Sequence, residues 1–193
     1  MNPMTTKYFQ LRVRRRRKES GVAAVEFALM LPILLVLLLG SLDITRLMLY
    51  QQKVDRISFS VTDLVTQAQS VSVAKMNDIA LAAAQIMQPF PFGVEGVIIV
   101  SSIYKDPNQS FPTIRWQYTG GGTLGRGSQI GNVNGTPTLP NGLTLNDKDN
   151  VIITETYYRF TPVFNSGFTP PADIYKVAIY KPRLGALLSL PAT

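Results

Sequence analysis

The sequence predicts an α+β fold: a long N-terminal helix, half apolar and half amphipathic, then a second helix, then an antiparallel sheet of about four strands. Three observations predict it. An apolar run of membrane length extends from Val22 to about Leu42, an apolar repeat of seven residues follows it, and beyond Phe90 the apolar period changes to two.

The first element is a basic leader, residues 1–21. It holds seven of the 19 basic residues, including Arg14, Arg15, Arg16, Arg17 and Lys18, against one of the 12 acidic residues. The leader therefore carries +6 and the remaining chain only +1 of the net +7. The next 21 residues, 22–42, would span about 31 Å as a helix, close to the hydrocarbon thickness of a bilayer. Pro32 inside this run would break a helix in water but is tolerated in lipid. Basic residues before the run and none after it until Arg46 orient the N-terminus to the cytoplasm and put everything beyond Asp43 outside.

Residues 43–88 read as an amphipathic helical region. Leu47, Val54, Val61 and Ala68 recur at intervals of seven, and Ile57, Leu64 and Val71 repeat the spacing three positions later, so the first helix continues to about Ser70. Two readings of this stripe are open: packing on the chain's own exterior domain, or an intermolecular helix bundle. A second helix is predicted from Val73 to Met87 and is stopped by "QPFPFG", whose prolines and glycine cannot continue it. Residues 89–193 form the exterior β-rich domain. Its strands are predicted at Val94 to Tyr104, Thr113 to Tyr118, Val151 to Phe160 and Ile174 to Tyr180, all rich in Val, Ile, Thr and aromatics. A Gly/Asn-rich loop, 119–150, separates the second and third strands and is expected to be the most mobile part of the exterior.

Composition excludes much chemistry. The chain has no cysteine and no histidine, which removes disulfides, thiolate catalysis, Cys-ligated zinc and the commonest general base. A body of charge +1 offers no basic face for nucleic acid. "GGGTLGRG", Gly120 to Gly127, lacks the Gly-Lys-Ser/Thr ending of a phosphate loop and precedes no helix, so it reads as a loop without a nucleotide. In "NDKDN", Asp147 and Asp149 offer oxygen ligands that would suit calcium, but EF-hand spacing fails, and a solvated turn is the other reading. Glu95, Asp106, Glu155 and Asp173 lie singly among strands and loops. No catalytic site is expected, and no cofactor.

Glu26 stands out because an ionised carboxylate inside hydrocarbon costs several kcal/mol. Either the helix enters the membrane late and Glu26 lies at headgroup level, or a positive charge comes to meet it. A cut after Gly21 would supply that charge, since the new α-amino group of Val22 stands one helical turn from Glu26 and could pair with it or with a neighbour's glutamate.

The basic leader, Gly21, Glu26 as the fifth residue after it, Phe27 beside it and the apolar run together resemble a prepilin-type signal. More narrowly, "GVAAVEFALMLPILLVLLLGSLDITR", Gly21 to Arg46, resembles the TadE-like minor pseudopilins of tight-adherence, Flp-type pilus systems, with the Gly-x-x-x-x-Glu-Phe start, the proline in the apolar run and a basic residue after it. "VIITETYYRFTP", Val151 to Pro162, resembles the family's later strand. The resemblance implies a pilin-like fold and a structural or assembly component, not an enzyme, of a type IV-like pilus that serves cell adhesion. It implies cleavage between Gly21 and Val22 by a prepilin peptidase, and a role for Glu26 and Phe27 in assembly. It further implies other pilins and pseudopilins, the inner-membrane assembly platform and the lipid bilayer as partners, and a place in the bacterial inner membrane and then in the pilus. Two other classes compete: an uncleaved, signal-anchored, membrane-tethered binding domain, and a secreted enzyme whose signal peptide is removed. The second is disfavoured by Glu26 within the run, by the run's length and by the lack of an Ala-x-Ala site after it.

Overall fold

The computed structural model describes residues 19–164 and 170–191. The basic residues Arg14 to Lys18, expected to orient the chain in a membrane, lie outside them. Helix α1 runs from Glu19 to Thr66 without interruption at Pro32. Up to Leu38 every described side chain on it is exposed, so this half packs on nothing else in the chain.

The second half of α1 changes character within a few residues. Tyr50, Val54, Ile57, Val61 and Val65 are buried at i, i+4, i+7 spacing, and they face the sheet. Ser58, Thr62 and Thr66 are buried on the flank of the same face. Their short side chains allow close approach to the sheet, and their hydroxyls find partners on the helix itself: Thr62 Oγ1 donates to the Ser58 carbonyl at 2.7 Å and Thr66 Oγ1 to the Asp63 carbonyl at 3.0 Å. The Ser58 hydroxyl lies 2.9 Å from the Thr156 hydroxyl on the sheet. Of the predicted stripe only Leu64 is exposed, because the buried face is turned toward the hydroxyl side. The apolar stripe is thus used within the chain.

Helix α2, Val73 to Ala84, begins where the Ser72 hydroxyl accepts from the Lys75 amide, and it tightens into a 3₁₀ turn over Gln85–Met87 rather than running helical to Met87. Met76, Ala80, Ala83 and Met87 are its buried positions. Strands β1 (Gly96–Tyr104), β2 (Thr113–Gly120), β3 (Asn150–Phe160) and β4 (Ala172–Tyr180) form one antiparallel sheet in the order β2-β1-β3-β4. The α+β class predicted from the sequence is the one observed.

Central strands β1 and β3 are buried on both faces. One face, with Ile98, Val100, Trp116, Tyr118, Ile152 and Phe160, packs under α1 and α2. The other face, with Val97, Ile99, Ile103, Val151, Ile153 and Tyr157, is closed by the segment between β2 and β3, which contributes Leu124, Ile130, Leu139 and Leu145. The Gly/Asn-rich loop is therefore a cover over the sheet rather than the free excursion its composition predicts. Its glycines serve close approach: a Cβ on Gly122 would collide with the carbonyl oxygens of Gly93 and Gly96. That approach lets Thr123 N donate to Gly93 O at 2.8 Å and Leu124 N to Gly96 O at 3.1 Å.

The C-terminal segment closes the helix-side core at the far end of the sheet. Leu187 is buried there, its carbonyl accepting from Trp116 Nε1 at 2.9 Å and its amide donating to Asn150 Oδ1 at 2.8 Å.

Candidate functional site

The residues that carry the assembly expectation lie along the exposed half of α1. Gly21 has open space where a side chain would be. Val22 is 60% and Phe27 59% exposed, and Glu26 lies on the same bare helix, one turn after Val22. No ion pair among the described residues involves Glu26. The helix reaches mean hydropathy 2.7 over its best 18-residue window, with none of that window buried in the protein. The 16 apolar residues from Val22 to Leu38, without a protein partner, need lipid or other subunits to cover them.

The second locus is the junction between the bare helix and the globular unit. Asp43 is fully buried, and its two carboxylate oxygens accept from Val163 N at 3.0 Å and Phe164 N at 3.2 Å, in the segment that leaves β3. In the sequence Asp43 marks only the start of the amphipathic region and the point beyond which the chain lies outside. The signal was present nonetheless: positions 43, 47, 50, 54, 57 and 61 alternate steps of four and three, so Asp43 continues the buried stripe. One turn further, Arg46 Nη2 lies 3.4 Å from the Tyr50 hydroxyl, and its guanidinium stands 5.7 Å from the centre of the Phe90 ring. Tyr50 packs against Phe90, Tyr158 and Phe160 with ring centroids 4.2, 5.1 and 5.3 Å away. Lys53 Nζ donates to the carbonyls of Ile86 at 2.9 Å and Gln88 at 2.8 Å, and so ties the end of the 3₁₀ turn to α1. Burial raises the Tyr158 phenol far above its ordinary range, and its hydroxyl donates to Pro91 O at 3.0 Å.

The third locus lies under the cover. Glu155 on β3 is fully buried; its carboxyl accepts from Gln129 N at 2.8 Å and Tyr175 OH at 3.0 Å, and also from Ser128 Oγ. In the sequence Glu155 is one of several carboxylates that lie singly among strands and loops. Its place in the row Val151, Ile153, Glu155, Tyr157, otherwise apolar or aromatic, was the available clue. Burial first, and the Glu155 carboxyl second, push the Tyr157 phenol up to about 12 and the Tyr175 phenol higher still.

This sets a pH dependence. A phenol in the unfolded chain ionises near its ordinary 10, while Tyr157 holds its proton to about 12, so the unfolded state binds fewer protons between these values. Stability contributed by the neutral phenol is complete below pH 10 and is lost as pH rises through about 12. Urea midpoints of the detergent-solubilised chain are expected to fall across this window, and Tyr157→Phe to flatten the fall. An equal alkaline slope in the variant would refute the assignment.

Several of the other acidic residues are engaged in surface pairs. Asp106 faces Arg115 at 3.3 Å, and Asp173 is bonded to Arg126 and lies 3.8 Å from Arg159. Of the weak calcium candidates, Asp147 lies 3.5 Å from Lys105 Nζ. Asp149 accepts from Lys181 Nζ at 2.8 Å, which holds its carboxyl below the usual range, helped by a backbone bond from Asn146. Among the described residues no group of three or more His, Cys, Asp or Glu side chains converges.

Comparison with curated proteins and with solved structures finds no match. A family comparison does, and its span starts at the glycine of the expected cut and ends at Ser58, where α1 meets the sheet. Residues 21–58 match the model of the TadE-like protein family, which is consistent with a TadE-like pilin of a tight-adherence pilus system.

Proposed function

We propose that the chain is a minor pseudopilin of a tight-adherence pilus, cut between Gly21 and Val22 by a prepilin peptidase and assembled through α1. The observation that carries the reading is Glu26: a carboxylate on the first half of α1, which from Val22 to Leu38 is otherwise apolar and uncovered by the chain's own fold, five residues past an unobstructed glycine. Such a helix needs a partner, and its one acid needs a base.

The parts divide accordingly. Residues 1–21 are the leader, kept in the cytoplasm by Arg14, Arg15, Arg16, Arg17 and Lys18. Residues 22–42 cross the inner membrane, 43–88 join helix to sheet, and 89–193 stand outside. Gly21 admits the peptidase because a side chain there would crowd the scissile bond. After the cut, the Val22 α-amino group and Glu26 are one turn apart, and pairing between neighbouring copies or other pilins would set subunit register. On this reading the role is structural: Asp106, Asp147, Asp149 and Asp173 are paired with Arg or Lys, and Glu155 is closed off under the cover.

The test is the terminal residue of the protein recovered from host membranes, read by mass spectrometry. The expected terminus is Val22, and Gly21→Glu is expected to abolish its formation. An intact leader in the parent chain would overturn the reading in favour of the tethered binding domain.

A further inference from the structure

The apolar run does not end where the protein begins. Residues 22–42 would fill a bilayer by length, yet Gly40 is buried and Leu39 half-buried within the protein's own fold. The bare part of the helix therefore stops at Leu38. From Val22 that is about 25 Å at 1.5 Å per residue, some 5 Å short of a typical hydrocarbon core.

The part of the fold that comes down to this level is identified by Asp43. Side chains on a helix tilt toward its N-terminus, so the Asp43 carboxylate reaches back over the last turn of the apolar run. There it holds the amides of Val163 and Phe164, and these two side chains are 54% and 44% exposed. Beside them on α1, the exposed apolar side chains continue past Leu42 through Ile44, Met48 and Leu49. Exposed apolar side chains on both segments that Asp43 joins thus form an apolar rim at the point where the helix enters the globular unit.

We infer that this rim is a lipid-docking surface: with α1 in the membrane, the globular unit sits directly on the outer face of the bilayer, with Val163 and Phe164 in the headgroup layer. Interfacial apolar groups bury about 5–10 Å deep, which matches the shortfall in helix length. Asp43 is the positioning residue, since its buried carboxylate holds the backbone amides of Val163 and Phe164 to α1. The inference rests on the reading of residues 22–42 as a membrane span, and the experiment separates the two.

The chain contains no cysteine, so single spin labels can be placed without removing native thiols. The full chain would be labelled at Val163→Cys, with Leu35→Cys as the lipid reference and Gln109→Cys, on the β1–β2 hairpin, as the aqueous reference. It would be reconstituted at high dilution in vesicles of phosphatidylethanolamine and phosphatidylglycerol. Collision with dissolved oxygen against a water-soluble nickel chelate reports depth. The Val163 label is expected to favour oxygen severalfold over the Gln109 label, and Asp43→Ala is expected to erase that preference. A second label at Phe164→Cys, in the parent background, carries the test should Asp43→Ala fail to fold. Val163 and Phe164 labels that behave like Gln109 while Leu35 remains lipid-like would overturn the docking surface alone. A water-like Leu35 label would overturn the span and the docking surface together. Protection that appears only at high protein density would assign the rim to a second copy and likewise overturn the lipid assignment.

Discussion

Glu155→Ala is expected to destabilise the globular unit by about 3–5 kcal/mol, a large share of the stability of a domain this size. The carboxyl is the shared acceptor for the Gln129 amide, the Tyr175 hydroxyl and the Ser128 hydroxyl, with the Tyr157 hydroxyl at 3.5 Å. Glu155 and Tyr157 are buried and the other donors reach in from half-buried or exposed residues at the edge of the cover, where a buried donor left without a partner costs about 1–3 kcal/mol. Two or three such donors give the figure, before counting the cavity left by the lost side chain. The loss should be local in its first expression. Amide exchange is expected to accelerate at Leu124 to Ile130, whose cover is held by these bonds, while amides of α1 around Ile57 keep their protection until global unfolding. Glu155→Gln keeps one acceptor oxygen and the shape, so it should cost about half as much or less. Urea midpoints of the three proteins check the order, and an alanine variant as stable as the parent would remove Glu155 from its place as the pin of the cover.

The same residue shows where sequence reading fails. Helix α1, the second helix and the four strands are legible because each repeats a period, 3.6 or 2, over many residues. The cover has no period. Leu124, Ile130, Leu139 and Leu145 each reach the sheet separately, spaced six, nine and six residues apart, and the glycines between them resemble those of a free loop. Without the cover, the outer face of β3 appears solvated and Glu155 unremarkable. Buried hydroxyls mislead in the same way. Ser58, Thr62 and Thr66 are polar by type, yet they face the sheet because their protons are satisfied by the helix or by Thr156. Asp43 combines both problems, since its acceptors serve backbone amides 120 and 121 residues away, which no local pattern encodes. Glu26, by contrast, is legible because its neighbours are uniformly apolar, and the structure leaves it where the sequence put it, on a bare helix.

Glu26→Ala is expected to leave the chain in the membrane fraction after alkaline extraction, with its Val22 terminus still formed, while reducing assembled pili about tenfold or more. Insertion should not suffer, because removing a charge from an apolar helix lowers the cost of burying it, by up to about 3 kcal/mol at the bilayer centre and less near the interface. Processing should not suffer, because the variant retains Gly21 and Val22. What is lost is the acid that a neighbour's α-amino group would meet inside the filament. A tenfold fall needs only about 1.4 kcal/mol at each contact, and a paired charge removed from low dielectric exceeds that. Glu26→Gln distinguishes charge from size: it retains length and hydrogen bonding but not the ion pair, so it should assemble poorly as well, whereas a purely steric role would restore pili. Normal piliation in Glu26→Ala would mean that the carboxylate lies at headgroup level and is tolerated there, and that the bare helix finds its register in the filament from apolar packing alone.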